Sequence, residues 1–226
     1  MSRAGTLGRT LLAVPLLLVL LVLLVPSAGR ADGTTGRAVP ALGRGLLTLA
    51  DLPAGYAPWK PEYRPYSTST SPECAAVLDE LEFSRPRYRG VDYAFAGFAA
   101  KGAFGPWVVE NLRRYPTAVV ADHDLDRVLR VLPRCSSFSL AYRGERPAVS
   151  VVRVTPIRMA ALGDRSRAMW ITVNVNGEWA YGEVLVLARV RATLMVLSQL
   201  AFRPPKAAAA QAVAARAVTR LRAAKV

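Results

Sequence analysis

The sequence predicts an α+β fold in which helices pack on an antiparallel sheet of about five to six strands. Three observations carry this expectation. Helical apolar spacing dominates the first part of the folded region and returns over residues 206–226. Alternation of the strand type runs from Ser136 to Ala201. Within that run, Asn176-Gly177 separates two alternating segments, a strong short-range signal for a hairpin because both turn positions need positive φ. Helices before and after a block of strands argue for a sheet with antiparallel neighbours rather than a parallel one.

A segment of different character comes first. Arg3 and Arg9 precede an apolar run from Thr10 to Val25, which ends at Pro26 and the small residues Ser27, Ala28, Gly29 and Ala31. Basic, then apolar, then small is the order of a secretory signal, here residues 1–31. The competing reading is an uncleaved anchor, since the run approaches the ~20 residues of a spanning helix. Pro15 and the Pro-Ser-Ala-Gly end favour cleavage. Both readings send the rest of the chain out of the cytoplasm, because the two arginines stay inside. No cysteine follows the apolar run, so lipid attachment is not expected. Residues 32–45 carry Gly, Pro and Thr without periodicity and read as a flexible tether, leaving a folded domain over 46–226.

Element by element, LLTLADLPAGY gives a short apolar segment and a turn, and a Tyr- and Pro-rich extended run follows to Thr70. Ser71-Pro72 opens a helix, with proline at the first helical position, and Cys74, Val77, Leu78 and Leu81 share its apolar stripe. SRPRYRG, with Arg85, Arg87 and Arg89, reads as a solvated basic loop rather than an anion site. VDYAFAGFAA alternates as a strand. GPWVVENLRRY spaces Trp107, Val108, Leu112 and Tyr115 for one helical face. ADHDLDRVLRVLPRC reads as a further helix capped by Asp122 or Asp124 and ended by Pro133. Strands follow, and an Ala-rich helix carrying Arg216, Arg220 and Arg222 closes the chain with its small face towards the sheet.

A two-residue turn at Asn176-Gly177 fixes a register in which Val173 faces Ala180, Ile171 faces Gly182 and Met169 faces Val184. The other face then collects Trp170, Trp179 and Tyr181, with Arg189 and Arg191 farther along the same strand. These five residues form the expected ligand-binding set. Aromatic rings on such a face suit apolar or sugar-like ligands, and the arginines suit an anion. The same rings could instead be covered by residues 46–66 as a second small core.

Two cysteines, Cys74 and Cys135, are an even pair in an exported chain, so a disulfide is the default and two free thiols the competing reading. A net charge of +14 stays strongly basic even without Arg3, Arg9 and Arg30. In an exported protein that points to membrane-surface or cell-wall association rather than nucleic acid. Arginine abundance with only four lysines also fits a GC-rich genome without any partner. Catalysis has little support. His123 is the sole histidine and sits among Asp122, Asp124 and Asp126 near a helix start, where charge–dipole stabilisation accounts for it. No metal site, cofactor motif or nucleophile motif is present in the sequence, and Gly163-Asp164-Arg165-Ser166 reads as a turn between strands.

LLTLADLPAGY, PECAAVL, VLRVLPRCSSF and the finish GDRSRAMWITV to VLSQLA together resemble the PknH-like extracellular sensor domains of actinobacteria. The resemblance spans roughly residues 46–226. It implies an antiparallel sheet flanked by helices, a disulfide, and a cleft for an envelope ligand. It therefore implies a non-enzymatic, exported, sensor-like domain, with a structural envelope protein adhering to anionic polymers or lipids as the alternative. Those ectodomains usually hold two disulfides, whereas this chain has cysteines for one and no kinase domain.

Overall fold

The computed structural model describes residues 40–61, 66–83, 90–101, 105–142 and 150–225. The residues expected as a secretory segment, most of those expected as a tether, and the Arg85, Arg87, Arg89 loop lie outside the described residues. The strands are β1 (Tyr56–Pro58), β2 (Tyr66–Ser69), β3 (Asp92–Ala100), β4 (Trp107–Arg114) and β5 (Phe138–Tyr142). They continue with β6 (Ser150–Ile157), β7 (Arg165–Val175), β8 (Glu178–Val190) and β9 (Thr193–Ala201). The helices are α1 (Pro40–Gly43), α2 (Pro72–Phe83), α3 (Ala118–Val131) and α4 (Ala207–Ala223).

All nine strands join one sheet in the order β1-β3-β4-β9-β8-β7-β6-β5-β2, and every pairing is antiparallel. The α+β expectation holds, but the strand number is higher than the five to six expected. Two extra strands, β1 and β2, come from the Tyr- and Pro-rich segment, which caps the two sheet edges. The third is β4, expected as a helix. It lies between β3 and β9 and is buried on both faces, so its apolar residues need not alternate. Its polar residues mimic a helical polar face but are satisfied by tertiary partners: Leu47 N donates to Glu110, and Asn111 donates to the Leu81 carbonyl.

The sheet must curl. Only residues 59–65 separate the two edge strands, a reach of about 28 Å at full extension. Nine flat strands would hold their edges about 38 Å apart. The link leaves β1 across Gly97, where a Cβ would stand 2.3 Å from the Trp59 carbonyl oxygen, so glycine is required there.

Each sheet face has its own core. One face carries α2 and α3 over Met169, Ile171, Val173, Leu185, Leu187, Leu194 and Val196. The other carries α4 and the 42–52 segment over Val184, Val186, Ala188, Met195 and Leu197. On α4 the alanines 210, 214 and 217 are fully buried, so its small face packs on the sheet as expected. Burying Val213, Val218 and Leu221 beside them contributes roughly 1.5–3 kcal/mol each. Leu42 of α1 is also fully buried, in the same core as α4.

Helix α3 starts earlier than its sequence suggests. Thr117 is the N-cap and accepts from Val120 N at 3.2 Å, so neither Asp122 nor Asp124 caps it. Those acids face other elements instead. Cys135 follows the short turn after α3 and is bonded to Cys74 of α2, with the Cα atoms 5.7 Å apart. Beside the bond runs a buried polar chain. Arg113 of β4 donates to Glu80 at 3.1 Å, Arg127 donates to Glu80 at 2.6 Å and to Asp124 at 2.9 Å, and the Tyr115 hydroxyl donates to Asp124.

Candidate functional site

The expected aromatic face does not exist as one surface, and one residue undoes it. Val175 faces Glu178 and Asn174 faces Trp179, as the two-residue turn dictates, but Val173 faces Tyr181. Ala180 is therefore a β-bulge, and from there each pairing is shifted by one: Thr172 faces Gly182, Ile171 faces Glu183 and Met169 faces Leu185. A one-residue shift exchanges the faces. Tyr181 joins the core under α2 and α3, whereas Trp170 packs in the opposite core with α4. Trp179 stays 40 % exposed at the rim, its indole N–H donating to the Phe202 carbonyl at 2.6 Å.

The expected arginines are committed elsewhere. Arg189 lies at the far end of β8 from Trp179 and pairs with Asp122 at 2.7 Å and Asp164 at 3.1 Å. Arg191 is the positive-φ residue of the β8–β9 turn, with φ 55°, and its amide donates to Asp164. Gly163-Asp164 is the turn that receives them, and Arg222 of α4 donates to the Gly163 carbonyl at 3.0 Å. A Cβ on Gly163 would stand 2.3 Å from the Arg189 carbonyl oxygen.

A cleft of about 340 Å³ opens on the α4 side of the sheet, where β6 passes through the 158–164 loop into β7. Ile157, Met159, Leu162, Ala168 and Val186 supply its apolar lining. Ser166 lines it too, and its Oγ accepts from Leu162 N at 2.9 Å, leaving the hydroxyl proton free for a further acceptor. The charged lining consists of Arg158 and Arg167, and neither forms an ion pair among the described residues. Gln211 of α4 accepts from Ala160 N at 3.2 Å and pins the loop that forms the rim. Periodicity could not find this cleft, because it is made by a loop and the ends of two strands.

His123 is exposed on α3. Among the described residues no group of three His, Cys, Asp or Glu side chains could hold a metal ion. Two buried carboxyls stand apart from both the cleft and the ion pairs. Burial pushes Glu110 up to about 8, against the amide of Leu47 and nearby Arg220. Burial pushes Glu183 up to about 7, with Ser198 opposing the rise.

No protein-family model matches the chain, and no curated protein matches it. A solved structure does: the extracellular domain of PknH from Mycobacterium tuberculosis. The match covers 84 % of this chain and 100 % of that one, at a TM-score of 0.59 and 14 % identity. At that identity the likeness is one of fold.

Proposed function

We propose that this chain is an exported, sensor-like domain without catalytic activity, which binds a small anionic amphiphile in the cleft beside α4. The observation that carries the reading is the cleft lining: an apolar floor, one available hydroxyl and two arginines with no ion pair among the described residues. An apolar tail would remove that floor from water, and a carboxylate or phosphate would meet Arg158 and Arg167. The fold likeness to the extracellular domain of PknH supports a sensing role. Small molecules released from natively purified protein, read by mass spectrometry, test it. Ala160→Trp projects a large ring from the exposed rim and should empty the cleft while leaving the circular dichroism unchanged. Retention of the same molecule by that variant would place the ligand elsewhere.

A further inference from the structure

At the end of the sheet away from the Asp164 turn, four rings meet along one rim. Trp59 and Trp107 have centroids 6.3 Å apart, and Phe202 stands edge-on to Trp107 at 5.4 Å. Trp179 completes the rim through its bond to the Phe202 carbonyl, and its ring lies against Gly182, where a Cβ would meet it at 2.7 Å. Phe202 is 45 % exposed and Trp179 40 %, two of the few large apolar side chains left open to solvent.

The charges around this rim are mostly cations. Three of the four lysines lie here: Lys60 follows Trp59, Lys101 follows β3 with its amide on the Gly55 carbonyl, and Lys206 follows Pro205, which packs on Gly182. All three are exposed, and none is ion-paired among the described residues. Arg203 adds a further exposed cation and Glu178 the one exposed acid beside Trp179. At the opposite end Arg165, Arg189 and Arg222 are ion-paired with aspartates, whereas Arg158 and Arg167 of the cleft form no ion pair among the described residues.

We infer that this rim docks the domain on an anionic lipid bilayer, with Trp179 and Phe202 entering the headgroup–acyl boundary and Lys60, Lys101 and Lys206 contacting lipid phosphates. Charge complementarity selects an anionic surface, and the rings select lipid over a hydrated polymer. Lysine and arginine donors here could meet a sugar chain as well as a phosphate, but the exposed rings of Phe202 and Trp179 gain more from entering the apolar edge of a bilayer than from a hydrated polymer. Lysine stems can lie along apolar material while their ammonium groups reach the headgroups.

The test uses the full chain bound to vesicles of zwitterionic lipid, with or without anionic phosphatidylglycerol, and brominated acyl chains as the quencher. All four tryptophans lie beyond residue 58, so the apolar N-terminal stretch contributes no signal. Tryptophan quenching is expected on anionic vesicles, and it should weaken about fivefold for each lysine changed to Gln. Phe202→Ser should reduce its depth, and the triple lysine variant, with every ring in place, covers the case in which the serine variant unfolds. Quenching that is absent, or equal in the triple variant, overturns the inference. A response to a soluble anionic polysaccharide in place of vesicles overturns it as well.

Discussion

Glu110 and Glu183 sit on central strands, one on each face of the sheet, and both are fully buried. Glu110 receives one amide, from Leu47, and Glu183 has Ser198 as the polar group that opposes its rise. A buried carboxylate is expensive to ionise, so the folded chain holds a proton that the unfolded chain releases from 4.5 upwards. The stabilisation is complete below that value and is lost as pH rises through about 7 and then about 8. The melting temperature should therefore fall between about pH 5 and pH 8. Glu110→Gln keeps the acceptor for Leu47 N and should flatten part of that slope in thermal scans at the two pH values. A melting temperature that climbs with pH would contradict the assignment. Neither acid could be picked out beforehand, because Glu110 reads as the polar face of a helix and Glu183 as an outward strand position.

Among elements, the β7–β8 hairpin shows how much of a sheet local sequence specifies and where it stops. Asn176, with φ 52°, and Gly177, with φ 87°, take the positive-φ turn that the dipeptide demands, and the first two pairings follow. The bulge at Ala180 has no local signature. It is set by which residues the two cores need, and Tyr181 and Glu183 go to one side while Gly182 gives room to the Trp179 ring. Deleting Ala180 removes the unpaired residue and leaves every later pairing as it is, so the chain should still fold with a modest loss in melting temperature. Gly182→Val should cost more, because its branch meets the Trp179 ring and Pro205. If the deletion unfolds the protein and the valine does not, the bulge is a required part of the hairpin. Strand β4 makes the same point, since a central strand loses the alternation by which strands are read.

For the whole molecule, the sequence conveyed the α+β class and the pairing of the cysteines better than it conveyed the path of the sheet. Alternation and a turn dipeptide act over a few residues, whereas β1 and β2 lie at opposite edges although only residues 59–65 separate them. The Cys74–Cys135 bond was readable because the chain has one even pair of cysteines, Cys74 on the buried stripe of α2 and Cys135 just past the end of α3, 61 positions apart. Closing a loop of that length stabilises by about 4 kcal/mol in the chain-entropy model, so reduction should lower the melting temperature by roughly 10 °C. The bond also ties stability to compartment, because it forms where thiols are oxidised. Export therefore predicts two linked properties of protein recovered from the cell envelope or medium. It should carry no free thiol, and N-terminal sequencing should read a start between Gly29 and Asp32, after the small residues that end the apolar run. An oxidised chain found only in membranes with Met1 or Ser2 at its start would identify residues 10–29 as an anchor. A reduced chain with the same start, recovered from the cytosol, would remove the compartment on which the sensing and docking proposals both rest.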